Sequence, residues 1–558
     1  MKTITSFVII FCLFLTAQAQ VGEPPVKAPF EGIDVYCTND WWNHAKAIKN
    51  NPNKIIDVDV PREQAICFGI YTTQNTVMKM TAQLFPLYPN ETREVRLELK
   101  KNGKWSEVAK AQVNDIGWSA LFRIENWDET KDVPYRLRHG QNALFEGLIR
   151  KKPTDKNEIV VATFSCNSNK DRGLREEFTR NANHFNPDLV FFAGDQSYDH
   201  KEHTAAWLLF GIQFRELFRN RPCVTIPDDH DVGHGNLWGE NGKKSNSTAG
   251  DDGGYYFHHE YIKMVERCQT AHLPDAFDPT PIQQGIGTYY TSLNIGGIDF
   301  AIIEDRKFKT KPAGKIPQQG PRPDHIRNPQ YDPKSIDVAG LELLGARQMT
   351  FLKQWGKQSK GVSMRAVLSQ TGFCGGAHRH GTFDNYLHAD LDCNGWPQTG
   401  RNEALRAIKE AGAIHLAGDQ HLATLVQHGI DKYQDGPFAF VGPALVNTYY
   451  KRWWHPLDEK SGQNKEEKNP LPFTGDYLDG LGNKLTMHAY ANIEGPNKLS
   501  DGFGLVRFNK KARSITFECW DRFADVTKAG AKQMIGWPRT IRQSGTGQKL
   551  AWKIDPIQ

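Results

Sequence analysis

The sequence predicts an α/β domain that follows a smaller β-sandwich, and three observations lead to this prediction. Short strand-like runs separated by turn residues fill residues 20–155 with few helix signals, which is typical of a β-sandwich. From residue 158 onward, apolar strand-like runs alternate with helical stretches, as they do in α/β sheets. The polar stretch 151–157 contains a proline, lies between the two regions and is typical of a linker.

The length and composition of the chain fit more than one globular domain. A single hydrophobic core rarely grows past about 300 residues, so 558 residues predict two or three domains. We place the boundaries at 1–19 for a leader, 20–155 for the β-sandwich and 156–558 for the α/β domain with a C-terminal hairpin. The chain is 39% apolar and 24% charged, and its net charge of +5 is not gathered into one basic tract. This charge gives no reason to expect nucleic acid as a partner.

The N-terminus has the pattern of a cleaved signal peptide. Lys2 provides the positive start, the apolar run FVIIFCLFL spans residues 7–15, and Ala17-Gln18-Ala19 is a small-residue cleavage site. A membrane anchor is the alternative, but this run is too short to cross about 30 Å of hydrocarbon. We therefore predict a soluble mature chain that begins near Gln20 and is periplasmic or secreted.

The strands and helices of each region follow from the apolar patterns. In the N-terminal region, 65–71, 95–99 and 135–137 are strand-like. In the α/β region the predicted strands are 159–164, 189–193, 223–226, a hairpin at 289–304, 366–369 and 413–417, and the predicted helices are 174–185, 203–219, 255–270, 343–357 and 402–411. Residues 451–498 are predicted to form long surface loops, whereas 502–521 predict a hairpin that adds to the main sheet.

Residue types that bind metals follow the predicted strands of the α/β region. They lie in Ser165-Cys166-Asn167 and in the segments 194–199 (GDQSYD), 227–231 (PDDHD), 304–306 (EDR) and 418–421 (GDQH). In open α/β sheets, ligands bind beyond the carboxyl ends of the strands. One such Asp is usually a helix N-cap, and one buried Cys is usually a small hydrophobe. Several carboxylates at one edge would repel each other unless a cation neutralised them, so together they predict a metal site.

The same segments resemble a known family. FAGDQSYD, PDDHDVGHGN, IIEDR and LAGDQH, together with FSCN, resemble the motifs of the PhoD-like branch of the metallophosphoesterases. Residues 392–397 (DCNGWP) also resemble that branch's Trp/Gly/Tyr-Pro loop, and the resemblance covers about residues 158 to 520. It implies a four-layer α/β/β/α sandwich that carries a two-metal or mixed-metal site and hydrolyses phosphate esters with metal-activated water.

The resemblance also implies which residues hold the metals. Asp195 would bridge the two ions, while Cys166 and Tyr198 would bind one of them, expected to be Fe³⁺. Asp229 stands where the wider superfamily has an Asn and would bind the second ion. The acidic character of the remaining ligands favours a hard cation such as Ca²⁺ there. If Cys166 is a ligand, the other seven cysteines of the mature chain include at least one that is unpaired.

Further residues match the closing motif and the substrate-binding positions. Asp419 and His421 match a Gly-His-x-His motif, with Asp in place of its first His, and the resemblance implies that both bind the metals. His230 would contact the substrate rather than a metal. Arg306 would hold a non-bridging substrate oxygen through its planar guanidinium.

Some positions of the predicted site stay open. The spacing of DVGHGN makes the family's catalytic Asn uncertain between Asn236 and its neighbours, with His234 as a further candidate. His378, His380 and His388 lie in a loop rich in Gly and His, and one of them could enter the site. Solvent exposure of these loop histidines is an equally good interpretation.

Two other functions fit the sequence. A metal-dependent sulfatase acting on a sulfated polysaccharide is the first, because sulfate has the shape of phosphate with less charge; the chain has no Cys-x-Pro-x-Arg motif of formylglycine sulfatases. A non-catalytic binding protein on the same fold is the second, although the expected ligand positions all hold competent residues. In each case we expect a monomer without a nucleic-acid-binding module.

Overall fold

The N-terminal part of the chain folds into two small antiparallel sheets. This is seen in a computed structural model that describes residues 29–38, 41–42, 53–376, 387–449, 451–453, 465–493, 498–545 and 551–557. One sheet has the strand order β1-β2-β5 and the other β4-β3-β6-β7. Their bounds are β1 (Ile66–Gln74), β2 (Val77–Leu84), β3 (Glu94–Lys101), β4 (Lys104–Gln112), β5 (Ser119–Ile124), β6 (Val133–His139) and β7 (Ala143–Ile149).

These two sheets pack face to face and form the predicted β-sandwich. Val95 and Leu97 in β3 are fully buried, whereas Arg96 between them is partly exposed, as expected for a strand with one face in the core. A Cβ atom on Gly69 of β1 would lie only 2.8 Å from Leu137 of β6, so the sheets meet closely at this glycine. The fold-class prediction for the N-terminal region is confirmed.

The rest of the chain contributes two larger sheets. The strands of these two sheets are β8 (Glu158–Phe164), β9 (Leu189–Phe192), β10 (Cys223–Thr225), β11 (Thr291–Ile295), β12 (Ile298–Ile302), β14 (Met364–Thr371), β16 (Ile414–Gly418), β17 (Thr424–His428), β18 (Phe438–Val441), β19 (Gly475–Leu478), β20 (Lys484–Tyr490), β21 (Gly502–Asn509), β22 (Ser514–Asp521), β23 (Arg539–Ser544) and β24 (Ala551–Ile554). Two further strands, β13 (His325–Ile326) and β15 (Ala389–Asp390), pair with each other in a separate two-stranded ladder. The seven-stranded sheet has the order β10-β9-β8-β21-β22-β23-β24, and the eight-stranded sheet the order β11-β12-β14-β16-β18-β17-β20-β19.

The two large sheets stack between helices, which gives four layers. In β8, Ile159 and Val161 join the apolar cluster between the sheets, whereas Val160 and Ala162 face the helices on the other side. The helices are α1 (Glu176–Phe185), α2 (His203–Phe218), α3 (His259–Thr270), α4 (Gly345–Lys357) and α5 (Gln398–Glu410). Helices α1 to α3 cover the seven-stranded sheet, and α4 and α5 cover the eight-stranded sheet. The predicted α/β/β/α sandwich is confirmed.

Strand directions place many carboxyl ends at one edge of this sandwich. Strands β8, β9 and β10 are parallel, as are β12, β14, β16 and β18 in the facing sheet. The predicted C-terminal hairpin is present as β21 and β22, and β21 pairs antiparallel with β8. Within the described residues, no helix has both the length and the apolar character needed to span a membrane.

The prediction of surface loops over 451–498 was wrong in part. Strands β19 and β20 lie in this segment and extend the eight-stranded sheet through β17. Strands β17, β18, β23 and β24 were also missed. Strands β17 (TLVQH), β23 (RTIRQS) and β24 (AWKI) mix apolar and polar residues, whereas β18 (FAFV) is a fully apolar run of only four residues. All eight cysteines among the described residues are free.

Candidate metal centre

The ends of β8 and β16 approach closely enough to bring ligands from both sheets together. A Cβ atom on Gly418 would lie 2.1 Å from Oγ of Ser165, so only glycine allows this approach. Oγ of Ser165 accepts a hydrogen bond of 3.0 Å from the amide of Asp419. The two chain segments that carry Cys166 and Asp419 are therefore held side by side.

Four predicted ligands adopt a backbone conformation that non-glycine residues rarely take. The φ angle is 55° at Cys166, 56° at Asp195, 63° at Asp419 and 56° at His421. Left-handed conformations of this kind cost on the order of 1 kcal/mol or more each and cluster at functional sites. These four residues follow three neighbouring strands (β8, β9 and β16), so the left-handed conformations are concentrated at one edge of the sandwich.

Cys166, Asp195, Tyr198 and His421 form a first group of donors. One ligand atom from each of Cys166, Asp195 and His421 lies within 4.8 Å of the others. The Tyr198 hydroxyl lies 2.8 Å from Oδ2 of Asp195 and 2.9 Å from Nε2 of His421. This mixture of sulfur, nitrogen and oxygen donors suits a transition metal better than an alkaline-earth ion.

A second group consists of carboxylates alone and shares Asp195 with the first. Oxygen atoms of Asp195, Asp228, Asp229 and Asp419 all lie within 4.8 Å of one another. Oxygen-only sites suit hard cations such as Ca²⁺, Mg²⁺ or Mn²⁺. Oδ1 of Asp229 is buried and has no hydrogen-bond partner among the described residues, so the second group fits a cation.

Burial and mutual repulsion make the ionised form of these carboxyls costly. Burial, and then the neighbouring carboxylates, raise the pKa of Asp195 and Asp229 well above the ordinary range. Burial raises the pKa of Asp419 to about 6 against the opposing charge of Arg306. Burial also raises the pKa of the Cys166 thiol and the Tyr198 hydroxyl. A bound cation would replace the protons that these groups otherwise hold.

Two polar residues that the sequence analysis did not single out orient the ligands. Oδ1 of Asn447 lies 2.9 Å from Nδ1 of His421, which leaves Nε2 facing Tyr198. Oδ2 of Asp231 accepts hydrogen bonds of 2.8 Å and 2.9 Å from the amides of Asp195 and Asp228. Such outer contacts fix the rotamers and tautomers of metal ligands. Asp231 could have been suspected from PDDHD, but Asn447 carries no local signal.

A cavity at this edge is lined by Asp195, Asp229 and Asp419, and His230 lies on its wall next to a second histidine. Its Nδ1 is 2.5 Å from Nε2 of His200, and its ring centroid is 4.0 Å from that of Tyr198. A ring nitrogen of His230 also lies within 4.8 Å of oxygens of Asp195 and Asp229. It is therefore close enough to contact either a substrate at the metals or a metal itself.

Arg306 is buried and surrounded by carboxylates. Its Nε donates to Oδ1 of Asp228 at 2.6 Å, its Nη1 donates to Asp392, and its Nη2 lies 3.0 Å from Oδ1 of Asp419. Asp392 belongs to the DCNGWP loop, whose Asn394 donates to Asp305 at 2.7 Å. The structure thus directs the guanidinium at neighbouring carboxylates, and contact of Arg306 with a substrate oxygen stays a prediction.

The positions left open by the sequence are now placed. Asn236 lines the cavity, and its amide donates to Oδ2 of Asp324 at 2.6 Å. His234 is buried and accepts from the Tyr256 amide, outside the cavity wall. His388 packs its ring against Tyr331. His378 and His380 lie outside the described residues.

One family model and two solved structures are similar to this chain. Residues 210–448 match the family model of the PhoD-like phosphatases. The chain carries a PhoD-like phosphatase domain. The family match indicates that this domain is a phosphoesterase-type hydrolase. The matched segment contains His230, Arg306, Asp419 and His421, whereas Cys166 precedes it. No curated protein sequence matches the chain.

Both structural matches agree on the fold at low sequence identity. One is to a structure of PhoD, with a TM-score of 0.60 and 13% identity over 89% of this chain and 93% of that one. The other is to a purple acid phosphatase from yellow lupin (Lupinus luteus) seeds, with a TM-score of 0.50 and 12% identity over 84% of this chain and 72% of that one. At these sequence identities, both matches show that the fold is similar and no more than that.

Proposed function

We propose that this chain hydrolyses phosphate esters with water activated at a two-metal centre built on Asp195. The observation that carries the proposal is the overlap of two donor groups of different chemistry at one carboxylate. Shared carboxylates hold paired ions a few ångströms apart, where both can act on one ester. The left-handed backbone at the ligands supports the same interpretation, as does Oδ1 of Asp229, which has no hydrogen-bond partner among the described residues and only a 3.8 Å contact with Arg306.

Each side chain then has a defined task. Cys166, Tyr198 and His421 would hold one ion and Asp229 and Asp419 the other, while Asp195 would contact both. When bound, the ions lower the pKa of a water molecule and polarise the ester. The donor sets favour iron for the first position and calcium for the second, with other divalent ions possible.

His230 is proposed to act on the substrate rather than to bind a metal. Its Nδ1 is occupied by His200 at 2.5 Å, so Nε2 remains for an oxygen of the phosphoryl group or the leaving group. Asn236 lies at the rim and is proposed to orient the ester there. A hydrogen bond that strengthens as charge develops on the transferred group would speed the chemical step.

Phosphate is preferred over sulfate as the transferred group. The family match and the two structural matches concern phosphatases, and nothing in them supports the sulfatase alternative. A dense set of buried carboxylates also calls for highly charged cations, which suit the more negative phosphate ester.

The test is release of phosphate from p-nitrophenyl phosphate and bis-p-nitrophenyl phosphate, beside sulfate release from p-nitrophenyl sulfate. We expect phosphate release that stops with chelator and falls by at least about 1,000-fold in Asp195→Ala. Asp431→Ala, at a surface side chain paired with Arg406, is the matched control and should behave as wild type. Sulfate release alone would overturn the substrate, and no release from metal-loaded protein would overturn the enzyme.

Two companion measurements address the metals and the location. Elemental analysis of the purified protein should find about two metal ions per chain, with iron among them, and fewer in Asp195→Ala. We also propose that the chain is exported, because its first residues have the signal-peptide pattern. N-terminal sequencing of the mature protein should then begin near Gln20; an intact Met1 would contradict export by cleavage.

A further inference from the structure

The proposed centre needs a cationic side chain that can reach a substrate anion, and Arg306 is poorly placed for this. Its side chain is only 2% exposed, and its nitrogens already face Asp228, Asp392 and Asp419. A guanidinium has five N–H donors, and each of its three nitrogens has a carboxylate partner here. The positive charge of Arg306 is therefore already balanced by these carboxylates.

Lys451, unlike Arg306, lines the cavity at the proposed metal centre. It lines the cavity that also exposes Asp229, His230 and Asp419, and its side chain is only 9% exposed. Among the described residues, its ammonium group has one ion-pair partner, Oδ2 of Asp390, at 3.9 Å. This distance is too long for a hydrogen bond, so no carboxylate among the described residues accepts a hydrogen bond from this ammonium group.

The charge of Lys451 lowers the pKa of two proposed metal ligands, Asp419 and His421. Burial raises the pKa of Asp419, and the charges of Arg306 and Lys451 both oppose that rise. Burial lowers the pKa of His421, and the charge of Lys451 lowers it further. The ammonium group therefore lies within electrostatic reach of ligands from both donor groups, which is where a phosphoryl oxygen would sit.

Arg322 and His325, two other basic side chains at the cavity, already have acidic partners. Nε of Arg322 donates to Oδ1 of Asp324 at 3.1 Å, and 42% of the Arg322 side chain is exposed at the rim. His325 lies opposite Asp390 in the β13–β15 ladder and 3.4 Å from Asp324. Lys451 is the more buried of these groups and the nearer to the centre in electrostatic terms.

We propose that Lys451 is the substrate-binding residue that holds a non-bridging oxygen of the phosphoryl group. This proposal rests on the proposed function and deepens it. An ammonium group donates to phosphate as a point charge, without the planar geometry that arginine requires. A charge-assisted hydrogen bond from a buried, poorly hydrated donor is among the stronger single contacts that a protein makes.

The test compares Lys451→Met, Lys451→Arg and wild type as metal-loaded full chains. Inorganic phosphate binding is followed by titration calorimetry, and kcat and KM are measured with the better of the two p-nitrophenyl phosphate esters. Lys451→Met should weaken phosphate binding and lower kcat/KM by about 10- to 100-fold. Lys451→Arg keeps the charge and should recover most of both. Unchanged phosphate affinity in Lys451→Met would overturn the proposal.

The control is Lys353→Met, at an exposed lysine on α4, which should match wild type in every readout. Metal content and circular dichroism of each variant separate an effect on substrate from an effect on metal or fold. Loss of metal in Lys451→Met in parallel with activity would also overturn the proposal. If wild type cleaves no phosphate ester, the proposed function fails, yet the phosphate titration still decides the role of Lys451.

Discussion

The space between the two large sheets and the rim at their carboxyl ends are equally buried but chemically opposite. Between the sheets, Leu416 of β16 and Val161 of β8 are fully buried among apolar side chains. A few residues further along each strand, Asp419 and Cys166 are nearly as buried but carry groups that ionise. Three to five residues along the chain separate the region that stabilises the fold from the region whose buried ionisable groups destabilise it.

The difference teaches how this fold keeps a reactive centre. Burying apolar surface contributes roughly 25 cal/mol per Å² to stability, so the inner layer needs no further partner. Burying a carboxylate costs several kcal/mol unless a cation accompanies it. The carboxylates of the rim are balanced by Arg306 and, as proposed, by metal ions. The packed apolar layer between the sheets keeps these charged groups in place.

The largest effect should come from removing the cation of the rim. Arg306→Met keeps the side-chain volume but leaves Asp228, Asp392 and Asp419 without their shared partner. We expect the metal-free protein to lose about 3–5 kcal/mol in the free energy of unfolding, because unpaired buried charge is strongly destabilising. Urea denaturation with and without Ca²⁺ and Mn²⁺ measures this, and added cations should restore part of the loss.

A matched change in the inner layer should respond differently. Leu416→Ala removes apolar volume from a fully buried position, and we expect a loss of about 3 kcal/mol. The loss should be the same with and without metal, and activity at low temperature should persist. If metal ions rescue Leu416→Ala as well as Arg306→Met, the two regions do not differ in the way described here.

The smallest effect concerns a buried histidine on the outer face of β16. His415 is fully buried, its Nε2 lies 2.7 Å from Oγ of Ser369, and its Nδ1 has no hydrogen-bond partner among the described residues. Burial lowers its pKa from 6.5 to about 3, so between these values the unfolded state binds a proton that the folded state does not. The free energy of unfolding is therefore unaffected by the ionisation of this histidine above pH 6.5 and decreases as the pH falls below 6.5, because protonation favours the unfolded state.

Replacing this histidine should therefore reduce acid sensitivity. From pH 7 to pH 5, wild type should lose about 2 kcal/mol more unfolding free energy than His415→Gln, in which glutamine can still reach Ser369. Urea denaturation at several pH values measures the difference. His184→Gln, at an exposed position in α1, should follow wild type; equal acid sensitivity in His415→Gln and wild type would contradict the expectation.

Much of the fold could be predicted because its signals are local. Ile159 to Phe164 is a continuous apolar run typical of a strand buried on both faces, and the structure has β8 there. The strands of 451–498 were missed for the opposite reason. Tyr477 and Met487 join the apolar cluster between the two sheets, and their strands pair with each other and with β17. The residues of the segment alone do not specify the pairing with β17.

For the candidate site, the sequence by itself determined which donors follow the strands. Cys166, Asp195 and Asp229 come directly after apolar runs, and parallel strands bring such positions to one edge. Only the tertiary structure decided that Arg306 faces Asp228, Asp392 and Asp419, and that Lys451 reaches the cavity from a distant loop. Charges pair through space, and the low dielectric of the interior makes these long-range pairings strong enough to decide which cation remains for a substrate.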